Sequence, residues 1–129
     1  MSFQVRTDQA DPRRVVIRPA GKLDAMSYRE FDQALDKVLE QVPRGSTLVI
    51  DLVDLEYISS AGLRSLFRAR KAMRTNGGFS LIVHAQPQVR KVFEIVKAVP
   101  VHEVFSSVEE LDAYLAEMQR KVVEGDADS

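Results

Sequence analysis

The chain has 129 residues, 45% of them hydrophobic and 29% charged, and no cysteine. That length suits one globular domain burying roughly 65–70% of its unfolded surface, and the missing thiols exclude disulfides, iron-sulfur clusters and cysteine zinc sites. Eighteen basic residues against nineteen acidic ones leave a net charge of -1, so no overall field draws the molecule onto nucleic acid or an anionic membrane.

The amino terminus, MSFQVRTDQADPRR, lacks the basic start and apolar core of a signal peptide, and no run approaches the ~18 apolar residues of a membrane span. A cytoplasmic protein without membrane insertion is expected. Residues 3–7 (FQVRT) and 14–20 (RVVIRPA) read as strands close enough to form a hairpin across Asp11 and Pro12. Residues 21–25 break the pattern. Over 27–42, Phe31, Ala34, Leu35, Val38 and Leu39 fall at helical spacing, ended by Pro43 and Gly45.

Residues 47–53 (TLVIDLV) form a nearly continuous β-favouring run, the pattern of a central strand covered on both faces. A loop through Tyr57 and Ile58 leads to a helix over 60–76, with Leu63, Leu66, Phe67, Ala69 and Met73 inward and Gly77-Gly78 as its stop. Then come a strand over 79–83, a helix over 88–97, a short strand at 104–105 and a last helix over 108–122. The domain is expected to span 1–123, followed by an acidic, flexible tail over 124–129 (EGDADS). Strands alternating with helices imply crossovers, so the fold class is α/β: one domain, a mixed but mainly parallel sheet of about five strands and about four helices.

In such a sheet, functional loops gather at the carboxyl ends of the parallel strands. Three loops share that edge here: 21–25, 54–60 and 84–88. The middle one runs into the helix as DLEYISSAGLRSL, with Ser60 as the cap or the first helical residue. A serine there accepts a bond from an unpaired backbone amide, and the partial positive charge of the helix end also tolerates a phosphate.

The early strand ending in GKLD (21–24), the buried run TLVIDL (47–52) and the segment YISSAGL (57–63) opening a helix together resemble the STAS domain, the module of anti-sigma factor antagonists and of the cytoplasmic tails of sulphate transporters. The likeness covers nearly the whole chain. In that family the third segment usually reads aspartate, serine, serine or threonine, glycine, and a partner kinase phosphorylates the first serine. The resemblance therefore places the acceptor on Ser60 and the glycine on Gly62. It puts Ser59 where the family has its aspartate and Ala61 where it has a second hydroxyl, and Ser59 is an alternative acceptor.

The resemblance implies a non-enzymatic regulator without cofactor, which switches partners. Unphosphorylated, it would bind an anti-sigma factor with serine kinase activity; phosphorylation would release it and a phosphoserine phosphatase would reset it. Lys22, Leu23, Asp24, Asp54, Glu56, Tyr57, Ser59, Ser60 and Gly62 are the expected partner-binding residues on the shared edge. Arg64, Arg68 and Lys71 join them, from a helix bearing five bases and no acid between 64 and 74; at that spacing the three share a face. As plain structure, these bases are a solvated helix surface, Asp24 a turn residue, and Leu23 and Tyr57 core residues. The alternative within the family is an accessory subunit of a transporter or sensory complex without a phosphorylation switch. An enzyme pairing Ser60 with His84 lacks a G-x-S-x-G elbow, and neither a Walker A motif nor a patterned metal set occurs.

Overall fold

The computed structural model describes residues 3–125. Strands β1 (Gln4–Asp11) and β2 (Arg14–Leu23) form an antiparallel hairpin, followed by α1 (Tyr28–Gln41), β3 (Thr47–Asp51), β4 (Leu55–Ile58), α2 (Ser60–Thr75), β5 (Phe79–Val83), α3 (Pro87–Ala98), the single turn α4 (Val101–Val104) and α5 (Val108–Glu124). The sheet runs β1-β2-β3-β5, with β2, β3 and β5 parallel, and β4 pairs in parallel with β2 off that path.

Alternation decides which side of the sheet is the core. Val15 and Ile17 of β2 and Leu48 and Ile50 of β3 are buried beneath Phe31 and Leu35 of α1 and Leu66, Ala69 and Met73 of α2. Their neighbours Val16 and Val49, joined in register with Leu81, point to the other face and are only partly covered. Strand β3 is central, as expected, lying between β2 and β5, but the expectation that it is covered on both faces is corrected, since its second face is only partly covered. The run TLVIDLV looks continuous because Leu52, beyond the strand, turns back into the core while Val53 is exposed.

The two outer edges of the sheet differ in chemistry. Strand β1 carries Arg6, Asp8 and Asp11, charges that blunt an edge against further pairing, and its register shifts between Gln9 and Asp11. Strand β5 reads FSLIV without a charge, and Phe79, Leu81 and Ile82 are 52%, 46% and 42% exposed.

Two further expectations change. The short strand at 104–105 is absent: Val101–Val104 is a helical turn, and Phe105 follows it as an extended cap. That turn also makes the helices five among the described residues. The fifth strand lies instead in the segment read as a loop, where Leu55–Ile58 pairs with the far end of β2, Gly21 with Leu55 and Leu23 with Ile58. Strand β2 accordingly runs through to Leu23. At the carboxyl terminus α5 reaches Glu124 and Gly125 caps it in the left-handed conformation, while residues 126–129 of the expected tail lie outside the described residues.

Short strand β4 has β2 on one side and a side chain on the other. The Gln119 amide, from α5, accepts the Ile58 N–H at 3.0 Å and donates to the Ile58 carbonyl at 2.8 Å, besides donating to Leu115 at 3.2 Å. One buried amide thus satisfies both polar groups that a further strand would otherwise pair. Gln119→Ala strands them, and the expected cost is about 2–4 kcal/mol, read as a lower urea midpoint at unchanged m-value.

Candidate functional site

The site is built where β2, β4 and α2 meet. The Ser59 N–H donates to the Leu23 carbonyl at 3.0 Å, which extends the β2–β4 pairing to the last residue before the helix. Ser59 is the N-cap: its extended backbone turns the chain, its carbonyl accepts the Leu63 N–H at 2.9 Å, and its hydroxyl accepts from the Gly62 amide at 3.4 Å. It is only 5% exposed. Gly62 is required by contact, since a Cβ there would lie 2.4 Å from the Leu23 carbonyl oxygen and 2.7 Å from Ile58 Cγ1. The glycine of the motif thus lets the helix start flush against the end of β2.

Ser60, the first helical residue, is half-buried and faces α5. Its N–H donates to Asp112 Oδ1 at 2.8 Å and its hydroxyl donates to Asp112 Oδ2 at 3.0 Å. A carboxylate therefore sits against the amino terminus of α2, where unpaired amides and the helix dipole favour negative charge. Position 112 is separated from position 60 by 52 residues, and no motif or spacing in the sequence singles it out.

Beside Ser60 opens a groove of about 670 Å³, lined on one side by Leu63, Arg64 and Phe67 of α2 and on the other by the α3–α4 junction and the start of α5, including Phe105 and Val108. Phe67 and Val108 are exposed, so its mouth is apolar, with Ser60 and Arg64 among its polar lining residues.

The expected interface residues separate in space. Lys22 lies over the Tyr57 ring at 5.8 Å, and burial pushes the Tyr57 hydroxyl above its usual pKa, aided by the charges of Asp112 and Asp24. Asp24 shapes the turn into α1: its carboxylate accepts the Met26 amide at 2.9 Å and its carbonyl the Tyr28 amide at 2.9 Å. Met26 on that turn is 91% exposed, a feature that no sequence pattern marks. The Leu23 side chain is fully buried, so the site receives its carbonyl and not its side chain. Asp54 and Glu56 are exposed.

The three bases of α2 do not form one stripe. Arg64 belongs to the groove beside Ser60, whereas Arg68 and Lys71 border a second groove with Leu39 and Arg44. Arg68 donates to Asp36 at 2.6 Å and lies 3.6 Å from Asp32, both on α1; that hydrogen bond outweighs burial and raises its pKa.

A second polar cluster lies at the carboxyl end of β3. Asp51 accepts from Arg18 Nε at 3.1 Å and from the Val53 amide at 3.1 Å, and His84 Nδ1 lies 3.0 Å from the same carboxylate. His84 holds a left-handed φ of 62°, a strained state for a residue with a Cβ, and the contact with Asp51 supports it. Burial pushes the Asp51 carboxyl up, but the hydrogen bonds from His84, Val53 and Arg18 together hold it below the usual value of 3.8. His84 thus engages Asp51 while Ser60 engages Asp112, and the structure does not join the two as nucleophile and base. Among the described residues no group of three or more His, Asp or Glu side chains is placed to hold a metal, and no helix is long and apolar enough to cross a membrane.

The STAS domain family model matches residues 4–111 of this chain. BtrV of Bordetella bronchiseptica, a candidate anti-sigma factor antagonist, is 37% identical over 79 residues, which are 60% of this chain and 68% of BtrV. Among solved structures, an anti-sigma factor antagonist from Mycobacterium paratuberculosis superposes with a TM-score of 0.63 at 20% identity, covering 89% of this chain and 95% of that one. The Bacillus cell fate determinant SpoIIAA, in its phosphorylated form, gives 0.58 at 21% identity over 77% of this chain and 86% of its own.

The Asp51 cluster sets an acid limit on stability. Because the folded-state value lies below the unfolded one, its contribution is complete above the ordinary carboxyl range and is lost as pH falls through the folded value. Wild type is therefore expected to exceed Asp51→Asn in stability at neutral pH, with the gap in urea midpoints closing below about pH 4.

Proposed function

Because this chain belongs to the STAS domain family, we propose that it acts as an anti-sigma factor antagonist that switches partners through Ser60. In the unphosphorylated state it captures an anti-sigma factor with serine kinase activity and so frees the sigma factor. Phosphorylation of Ser60 breaks that complex, and a phosphoserine phosphatase restores it. The chain itself needs no cofactor and performs no catalysis, since the chemistry belongs to the kinase and the phosphatase.

The single observation that carries this reading is the position of the Ser60 hydroxyl, half-exposed at the amino terminus of α2 and on the lining of an apolar groove. Ser60 is preferred to Ser59 as the acceptor because Ser59 is buried and its hydroxyl caps the helix. The names of BtrV and of the Mycobacterium protein support antagonism, and the phosphorylated form of SpoIIAA supports modification as the device.

A phosphate adds about -1.5 to -2 charges to this patch at neutral pH. A partner seated over the groove must then desolvate the dianion or set its own groups against it, which costs several kcal/mol and is about tenfold in affinity for each 1.4 kcal/mol. The fold survives because the charge projects from the helix end and not into the core.

Incubation with the cognate kinase and ATP, followed by mass spectrometry, is expected to place the modification on Ser60. In titration calorimetry against that kinase, Ser60→Ala is expected to bind within about threefold of wild type and the phosphorylated protein at least about 100-fold more weakly, equivalent to ~2.7 kcal/mol. Unchanged affinity on phosphorylation, or modification elsewhere, defeats the switch.

A further inference from the structure

We infer that Asp112 is the positioning residue of Ser60 and an internal anion that a phosphate on Ser60 displaces from the amino terminus of α2, releasing the start of α5. This rests on reading Ser60 as the phosphoacceptor and adds the means by which the modification reshapes the groove.

The geometry is a two-point clasp. One carboxylate oxygen takes the Ser60 N–H at 2.8 Å and the other takes the Ser60 hydroxyl at 3.0 Å, so the hydroxyl rotor is fixed by a group on a different helix. The residue before Ser60 is the uncharged Ser59, so the carboxylate at this hydroxyl comes from elsewhere in the fold, from Asp112.

Phosphorylation removes every reason for that carboxylate to stay. The Oγ–H bond is replaced by an Oγ–P bond; the phosphoryl group comes from ATP, which leaves as ADP, and the proton passes to solvent. The donor to Asp112 Oδ2 is then gone. In its place stand phosphate oxygens of like charge, close to a carboxylate oxygen that lay 3.0 Å from Oγ. The amide that held Oδ1 and the positive end of the helix dipole now serve the phosphate, and one site does not hold both anions.

The response of α5 depends on how that helix is tied down. It packs chiefly on α3 and touches α2 sparsely, so the clasp is a principal tether between α5 and α2. Its own start is capped independently: Ser107 Oγ accepts the Glu110 amide at 3.1 Å, and Glu110 in turn accepts the Ser106 amide at 2.6 Å. About two turns beyond Asp112, Gln119 remains clamped to Ile58. Expulsion of Asp112 therefore tilts a formed helix about a fixed point instead of melting it. Val108 and Leu111, on the wall of the groove, move with it.

The test uses the full chain with phosphoserine installed at position 60 during translation, so that it does not depend on any kinase. Phosphorus NMR titration is expected to give a second phosphate pKa higher in the wild-type background than in Asp112→Asn by about half a unit or more. Asp112→Glu, which keeps the charge, is expected to restore the higher value. Arg64 and His102 of the groove, and Asp24 and Tyr57 beside the loop, are common to all three proteins, so the difference isolates position 112. Backbone amide chemical shifts at residues 108–112 are expected to move on phosphorylation in wild type well beyond their movement in Asp112→Asn, while those at Gln119 stay unchanged. Equal phosphate pKa values in the three backgrounds, or the same chemical-shift changes at residues 108–112 in wild type and Asp112→Asn, overturn the inference. Failure of the kinase to modify Ser60 would instead defeat the switch and leave this measurement standing.

Discussion

The carbonyl oxygen of Leu23, on the last residue of β2, accepts the Ser59 amide at 3.0 Å and occupies the space that a side chain at position 62 would need. Pairing of β4 with the end of β2 and the flush start of α2 converge on this atom. They bury Ser59 as the cap and leave Ser60 as the first hydroxyl with an outlook to solvent. A bulkier residue at 62 would push the helix away from the strand and take the Ser60 amide out of reach of Asp112. The placement of the Ser60 hydroxyl thus comes from backbone contact, and the side chains around it are placed by that contact.

Most of the architecture is legible in the sequence because it rests on local periodicity. The four long helices and four of the five strands follow from apolar spacing and from Pro and Gly punctuation. Strand β4 is illegible for a physical reason: its four residues follow β3 after a tight turn, and its pairing with Gly21 to Leu23 is long-range. The run Val104-Phe105 has strand-like composition, but Pro100 opens a helical turn whose bond from Val104 to the Pro100 carbonyl fixes it otherwise. The motif around Ser60 is readable, down to the position of Gly62. Asp112 and Gln119 are not, since their partners lie 52 and 61 residues away and no periodic pattern marks them.

Charge behaves in the same way. Arg64, Arg68 and Lys71 share a helix face by spacing, yet Arg68 is drawn across to Asp32 and Asp36 of α1, and it ties two core helices together at their surface. Only Arg64 remains with the serine. The electrostatic character of the site is therefore mixed, with Asp112 and Asp24 close to Tyr57 and a single guanidinium along the groove. On so mixed a surface, a phosphate at Ser60 as proposed would be the largest local charge.

The contrast between the two sheet edges also constrains how copies of this molecule can stick to one another. Strand addition needs a receptive rim, and only the FSLIV rim is free of charge, the opposite one being guarded by Arg6, Asp8 and Asp11. Two copies meeting through their FSLIV rims use up the receptive surface of both. By this route one pairing would leave no uncharged rim on either copy, since the other outer strand carries Arg6, Asp8 and Asp11.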